Sequence, residues 1–329
     1  MPSTVLTKPA MQSRRRSTGI SLLVAYLTLY AATLFAMLRY GHFDASDSLG
    51  VFTVLGVGFT LVAWLLTIGV KPLPYEVRAP KPETATLLLY LVPLAAFIAY
   101  GFNAIHRWVP AEPADSLAIL AAKLAVFVVI PAWLFVTRFG YKLGELAPTS
   151  TKTSHMLVFV GMAFVLLAFQ SVAGRGWKDI LEEHVPSETL LFGTPFVFLW
   201  LMLEVGVVEE FFFRVLLQSR LSAAIRSELG AIVIMSLVFG LIHAPGLYLR
   251  TGVTQERLSA NPSLLMAVGY SIVITSVAGF FLGVLWARTR NFLLLVLVHG
   301  ADVRHFRAIP RLHPVHRGPR LHYFRQSFV

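Results

Sequence analysis

No cysteine occurs among the 329 residues, and only 14% of them are charged. The absence of cysteine excludes a disulfide framework, a thiolate metal site and a cysteine nucleophile. Charged residues are scarce because 56% of the sequence is hydrophobic, and the mean hydropathy of +0.70 is well above that of a soluble domain. The composition therefore predicts an integral membrane protein, embedded in a lipid bilayer.

Acidic residues are fewer than basic ones, 17 against 28, which gives a formal net charge of +11. The basic surplus lies in loops and in an arginine-rich end, and no basic run interleaved with aromatic residues precedes that end. The sequence also contains no evident internal repeat and no Gly/Ser linker. We therefore expect no nucleic-acid partner and no separate soluble domain.

Long apolar runs dominate the sequence and set its predicted architecture. A helix of about 20 residues crosses the hydrocarbon core of a bilayer with its backbone polar groups bonded internally. Most of the runs fit this length, although the seventh and the last are shorter. They predict an all-α, polytopic transmembrane helix bundle of eight or nine spans, at residues 20–38, 49–70, 87–102, 117–136, 156–172, 190–217, 231–243, 264–287 and 291–303.

The loops between these runs alternate in charge. Lys and Arg collect at the N-terminus and after the second, fourth, sixth and eighth runs, whereas the other loops are acidic or mixed. The charges after the sixth and eighth runs are Arg220, Arg226, Arg288 and Arg290. Because cytoplasmic loops are enriched in Lys and Arg, the alternation predicts a cytoplasmic N-terminus. The membrane itself is expected to be a bacterial inner membrane.

The sequence divides into four predicted parts. Residues 1–19 form a cytoplasmic N-terminal segment, residues 20–174 are accessory transmembrane helices, and residues 175–303 carry the polar motifs. Residues 304–329 form an atypical basic tail, with six arginines, four histidines and no acidic residue. By the count of spans this tail should lie outside the cytoplasm, which contradicts the charge rule that fits the earlier loops.

Two adjacent acids and an arginine lie inside the sixth apolar run. Each ionisable group there costs about 2.5 to 3.5 kcal/mol on insertion scales, so such groups usually have partners or a function. Glu210 and Arg214 are four apart and can pair, whereas Glu209 lies about 100° round the helix and is expected to point elsewhere. The motif predicts a neutralised Glu210 and a Glu209 that is free for chemistry; a purely structural ion cluster is the alternative.

Two histidines end later apolar runs. Phe239 and His243 are four apart on one predicted face of the seventh run, and Pro245 is expected to end that helix. His299 ends the last run and precedes Asp302. Each histidine alone is typical of a membrane interface, but together with the glutamates they are groups that a bundle gathers at one interior site. A carboxylate with imidazoles can activate water and stabilise an oxyanion, which predicts a hydrolase.

Three motifs occur in a fixed order on successive apolar segments: Glu-Glu-x-x-x-Arg at 209–214, Phe-x-x-x-His at 239–243, and a histidine at 299 followed by an aspartate. This ordered set resembles the CPBP intramembrane proteases, which include the Ras-converting CAAX endoprotease and bacteriocin self-immunity proteins. The resemblance covers roughly residues 190–303. It implies an intramembrane endopeptidase that acts on a membrane-associated protein or peptide.

The resemblance also implies a role for each matching residue. Glu209 is the general base that polarises the attacking water, His243 helps to hold that water, and His299 helps to bind the oxyanion. The residues that shape the site around them are Glu210, Arg214 and Phe239.

The resemblance leaves open whether the reaction uses a metal ion. Older descriptions of the family include a metal, and Glu209, His243 and His299 would suffice in principle as ligands of a divalent ion such as zinc. The sequence contains no His-Glu-x-x-His helix, the usual zinc-protease pattern. We therefore favour a reaction without a metal or other cofactor.

The third motif departs from the family pattern. The family places Asn or Asp four residues after the histidine, whereas this position holds Val303 here and Asp302 is three residues on. A change of reading frame just after His299 would explain both the displaced aspartate and the basic tail. A genuine tail that binds anionic lipid is the alternative.

Two functions of other classes are kept as alternatives. One is a catalytically impaired membrane scaffold or bacteriocin-immunity protein that binds a peptide in the same cavity, which the displaced Asp302 favours. The other is an ion-coupled transporter that uses Glu204, Glu209 and Glu210. Many transporters contain internal repeats, and this sequence shows none.

Overall fold

The computed structural model describes residues 8–41, 43–172, 187–249, 258 and 261–301. Asp302 and the predicted basic tail at 304–329 lie outside the described residues. Helices and their connections make up the described ranges, which contain no strand. The all-α prediction is therefore confirmed.

Eight helices in the described ranges are long and apolar enough to cross a membrane. We name them α1 (Ser17–Tyr40), α2 (Ser48–Leu66), α3 (Pro80–Trp108), α4 (Ala114–Phe139), α5 (Thr153–Ser171), α6 (Leu191–Ile225), α7 (Glu228–Leu249) and α8 (Leu264–Thr289). The helix of α1 begins at Lys8, before the apolar span. A ninth helix, α9, spans Phe292–Gly300. The chain is thus a polytopic integral membrane protein, as its hydropathy predicts.

Side-chain caps start several of these helices. The Ser227 hydroxyl accepts a hydrogen bond from the Gly230 N–H at 3.1 Å and starts α7, and the Ser263 hydroxyl accepts one from Met266 N–H at 3.2 Å and starts α8. Such caps bond backbone donors that have no partner inside the helix. Short polar residues therefore set the starts of two helices in the motif-bearing half.

The predicted helix end near His243 is confirmed, since the first part of α7 is Glu228–Leu241. A second helix, Ala244–Leu249, then follows with Pro245 in its first turn. Proline fits there because the first turn needs no amide donor.

One local prediction is wrong: Arg220 and Arg288 are not loop residues, since they lie inside α6 and α8. The apolar runs end too early because an arginine with a partner lowers the hydropathy without ending the helix. Arg220 is fully buried and pairs with Glu83, and the half-buried Arg288 bonds to Thr67.

Within the described spans, wider π-helical turns interrupt the regular α-helix at six places. They are Phe52–Phe59, Phe97–Gly101, Ala125–Val129, Met202–Val207, Glu210–Gln218 and Ser271–Thr275. A π-helix bonds residues five apart, and such turns often occur at functional sites. Two of the six lie on either side of Glu209 in α6.

The chain forms two compact units. Unit 1 comprises Met1–Leu61, Glu76–Tyr100 and Leu216–Ala287. In it α1 packs against α7, and the Tyr26 hydroxyl is 2.8 Å from the Ser276 hydroxyl of α8. A Cβ on Gly279 would lie 2.8 Å from Ser236 Cα, so α7 and α8 touch through their backbones. Small residues allow this close packing of membrane helices.

Unit 2 comprises Val62–Tyr75, Gly101–Val215 and Arg288–Val329. In it Phe127 of α4 packs edge-on against Phe212 of α6, with ring centroids 5.9 Å apart. Arg288 Nε donates to the Thr67 hydroxyl at 2.7 Å. The sequence-based division of the chain at about residue 174 stays a prediction.

Candidate active site

Glu209 and Glu210 lie in unit 2, in the interior part of α6: Glu209 is between its two π-helical segments, and Glu210 begins the second. Glu209 is 3% exposed, and Glu210 is fully buried. Buried charges are costly unless they are paired or hydrogen-bonded, so the surroundings of both carboxylates decide whether this segment is structural or functional.

A single imidazole lies between the two carboxylates. His299 of α9 places Nδ1 2.8 Å from Glu210 Oε1, a hydrogen bond, and Nε2 3.9 Å from Glu209 Oε2. Because a carboxylate accepts, Nδ1 carries a proton, and Nε2 is the nitrogen that faces Glu209. The sequence reasoning grouped these residues, and within unit 2 the structure brings them together.

Arg214 completes this cluster. Its Nε is 3.6 Å from Glu210 Oε2, and both side chains are fully buried. The pairing expected from the four-residue spacing is therefore confirmed. The expectation that Glu209 points away from the pair is wrong in one respect: both acids face His299. An imidazole has nitrogens on two edges, so it can meet two carboxylates that leave the helix in different directions.

A close contact between α6 and α9 holds the imidazole in place. A Cβ on Gly206 would lie 2.9 Å from the Val296 carbonyl oxygen and 3.2 Å from Val296 Cα. Only a residue without a side chain fits at this crossing. His299 lies three residues after Val296, so the glycine sets how near the imidazole comes to the acids. The sequence reasoning did not single out Gly206, although a glycine three residues before the Glu pair was visible.

A second buried ion pair lies in the same unit and was missed from sequence. Lys123 Nζ of α4 is 2.7 Å from Glu204 Oε1, and the two side chains are 3% and 4% exposed. Trp200 Nε1 donates to the other carboxylate oxygen of Glu204 at 2.5 Å. The insertion cost that identified the glutamates applies equally to a lysine inside an apolar run, and this signal would have found Lys123.

His243 and Phe239 belong to unit 1. Their rings pack edge to face with centroids 5.0 Å apart, which confirms the contact expected from their spacing. His243 Nδ1 is 2.6 Å from the Phe239 carbonyl oxygen, so Nδ1 carries the proton and Nε2 offers a lone pair. The approach of His243 to Glu209 stays a prediction, and so does a role for Asp302, which lies outside the described residues.

Within the described ranges no group of three His, Asp or Glu side chains is placed to hold a metal ion. The possible ligand set of Glu209, His243 and His299 stays a prediction, and its members are divided between the two units. The metal-free reaction itself stays a prediction.

Comparison with known protein families gives a match over part of the chain. Residues 191–302 match the model of the Rce1-like, type II CAAX prenyl endopeptidase family. No curated protein and no solved structure shows a significant match to the chain. The matched segment contains Glu209, Glu210, His243, His299 and Asp302. Over residues 191–302, this integral membrane protein is therefore similar to the Rce1-like family of CAAX prenyl endopeptidases.

Proposed function

We propose that the protein is an intramembrane endopeptidase that hydrolyses a peptide bond in a membrane-associated protein or peptide, with water activated by Glu209. The observation that carries this proposal is the placement of one imidazole between two buried carboxylates in unit 2. The family match supports the reaction class. An N-terminus in the cytoplasm and a location in a bacterial inner membrane are part of the same proposal.

Glu209 is the general base. Its carboxylate is 3.9 Å from His299 Nε2, which is longer than a direct hydrogen bond, so its oxygens remain able to accept a proton from water. Glu210 has a different role, because it is bonded to His299 and paired with Arg214. Two adjacent acids thus have separate functions because their partners differ.

His299 stabilises the oxyanion. Glu210 fixes the ring through Nδ1, which leaves Nε2 to face the reacting atoms. With a neutral His299, the two acids and Arg214 leave one net negative charge in a buried cluster. A second proton on His299 removes this charge and makes Nε2 a donor, which is what a developing oxyanion needs.

The reaction balances with water as the only co-reactant. Glu209 takes a proton from water as the oxygen bonds to the carbonyl carbon, and the carbonyl oxygen becomes an oxyanion held by Nε2–H of His299. Collapse of this intermediate breaks the C–N bond, and the proton passes from Glu209 to the leaving amine. His243, with its lone pair on Nε2, is proposed to hold the attacking water.

Isosteric replacement of the base tests the proposal. Purified Glu209→Gln is expected to cleave a quenched fluorescent peptide, prenylated or not, about 10²- to 10⁴-fold more slowly than the wild type, because the amide cannot accept the proton. Glu188→Gln is the matched control and should keep the full rate, because Glu188 is an exposed acid in the helical turn that leads into α6. Equal rates in all three proteins would reject Glu209 as the base.

Two further measurements complete this test. His243→Ala should lose activity if His243 holds the water, and full activity would remove it from the mechanism. A chelator such as EDTA should leave the wild-type rate unchanged; a loss restored by zinc would replace the metal-free reaction with a metal-dependent one.

The structure argues against the transporter alternative at one of its three proposed ion-site residues, Glu204. Glu204 is bonded to Lys123 and Trp200 in the described structure, so its charge is already balanced. The displaced position of Asp302 in the sequence still favours the scaffold or bacteriocin-immunity alternative. It predicts retained peptide binding without cleavage in the wild type.

A further inference from the structure

Beside the acidic pair, α6 and α9 make a second contact within unit 2. The ring of Phe211 in α6 packs edge to face against the ring of Phe292, the first residue of α9, with centroids 6.0 Å apart. Phe211 follows Glu210 directly, and Phe292 lies about two helical turns before His299. The start of α9 therefore lies against the part of α6 that carries the acids.

The connection between α2 and α3 is hydrogen-bonded to both of these regions. The Tyr75 hydroxyl donates to the Val215 carbonyl oxygen at 2.8 Å, inside the π-helical segment Glu210–Gln218 of α6. Close to Tyr75 in sequence, the Leu73 N–H donates to the Thr289 carbonyl oxygen at 2.9 Å, just before α9 begins. One short stretch of chain thus bonds both to α6 and to the residues that lead into α9.

Asn291, the residue before α9, is also held by a distant segment. It is fully buried, and its side-chain amide donates to the Ser150 carbonyl oxygen at 2.8 Å while its side-chain oxygen accepts the Ser150 N–H at 3.1 Å. An asparagine at this position usually caps its own helix, and in the described structure Asn291 makes no such bond. The start of α9 is therefore fixed by contacts to other segments.

The position of α9 along α6 decides where the imidazole of His299 lies. Its Nδ1 is 2.8 Å from Glu210 and its Nε2 is 3.9 Å from Glu209, so a slide of about 1 Å is enough to break the hydrogen bond. A misplacement of about 1 Å in a catalytic site can cost about 100-fold in rate. Gly206 sets how closely the helices approach, whereas the bond of Tyr75 opposes a slide of one along the other.

We propose that Tyr75 is a positioning residue of the peptidase site. Its hydroxyl holds the segment of α6 that begins at Glu210 in register with α9, and so keeps His299 between the two acids. This inference rests on the proposed peptidase function, because it assigns Tyr75 a part in that reaction. Tyr75 acts through the placement of His299 and not by contact with the reacting atoms.

Removal of the hydroxyl alone tests the role of Tyr75. Tyr75→Phe is expected to lower kcat by at least about fivefold while KM stays within about twofold, since the oxyanion contact is misplaced and substrate binding is not. Tyr26→Phe is the matched control, because it also removes one 2.8 Å hydrogen bond of a tyrosine hydroxyl, in unit 1, and it should keep the wild-type kcat. A wild-type kcat in Tyr75→Phe, or an equal loss in both variants, would overturn the proposal.

A second readout needs no turnover and separates this inference from the proposed function. In NMR spectra of the full chain with isotope-labelled histidines, the His299 signals are assigned by their loss in His299→Gln. They should shift in Tyr75→Phe and stay unchanged in Tyr26→Phe, because only the first change moves the imidazole relative to Glu210. Such a shift in a protein that cleaves no peptide would support the positioning by Tyr75 and reject the peptidase function. Unchanged His299 signals in Tyr75→Phe would overturn the inference even in an active enzyme.

Discussion

Replacing Lys123 with methionine removes the positive partner of a buried carboxylate. Lys123 Nζ and Glu204 Oε1 are 2.7 Å apart, and both side chains are almost inaccessible to solvent. Methionine has a similar length and no charge, so the change leaves the packing of α4 nearly intact. The protein then has to keep Glu204 charged without its cation or protonate it.

The expected cost follows from burial. Removing one partner of a buried ion pair destabilises a protein by about 3 to 5 kcal/mol, because the other charge stays buried. Removing both charges is often nearly neutral. Glu204→Gln in the Lys123→Met background also keeps a carbonyl oxygen for Trp200, whose indole donates to Glu204 at 2.5 Å. The double variant should therefore recover at least about 2 kcal/mol relative to Lys123→Met.

The assay is equilibrium unfolding in mixed micelles. Each purified variant is titrated with SDS in a mild detergent, and helix content is followed by circular dichroism. Lys142→Met, which removes an exposed lysine, is the control and should change stability by less than about 0.5 kcal/mol. A Lys123→Met protein as stable as the wild type, or a double variant that costs the sum of the two single changes, would refute the reasoning.

Two further changes test how the helices contact. Gly206→Ala should lower both stability and peptidase activity, because its Cβ would lie 2.9 Å from the Val296 carbonyl oxygen and push α9 away; Gly50→Ala, with no atom within 4 Å, should behave like the wild type. Equal effects of the two changes would contradict this account. Tyr26→Phe should cost about 0.5 to 1.5 kcal/mol in the same unfolding assay, since it removes the 2.8 Å hydrogen bond to Ser276. A cost above about 3 kcal/mol would mean that more than one hydrogen bond is lost.

Much of the architecture was predictable from sequence for a simple reason. A helix that crosses a bilayer must be apolar over about 20 residues, so composition along the chain is sufficient to locate it. The eight spans lie where the apolar runs predict them. The Glu210–Arg214 pair was predictable too, because residues four apart meet on any helix whatever surrounds it.

The errors have a physical cause as well. Arg220 was placed in a loop because hydropathy treats any arginine as a polar residue. In the fold it is fully buried, and its charge is met by Glu83, which lies 137 positions earlier in the chain. A partner so distant in sequence leaves no local pattern, so neither the ion pair nor the true end of α6 could be read from composition.

By itself the sequence determined which segments are long and apolar enough to cross a membrane, which residues within them are costly to bury, and the order of motifs that resembles a protease family. Only the tertiary structure decided how these residues are partnered: His299 between Glu209 and Glu210, and Lys123 on Glu204. The difference lies in the range of the interactions. Hydropathy and helical spacing describe residues within one span. His299 and Glu210 are 89 positions apart in the sequence, and they meet because Gly206 allows α6 and α9 to touch.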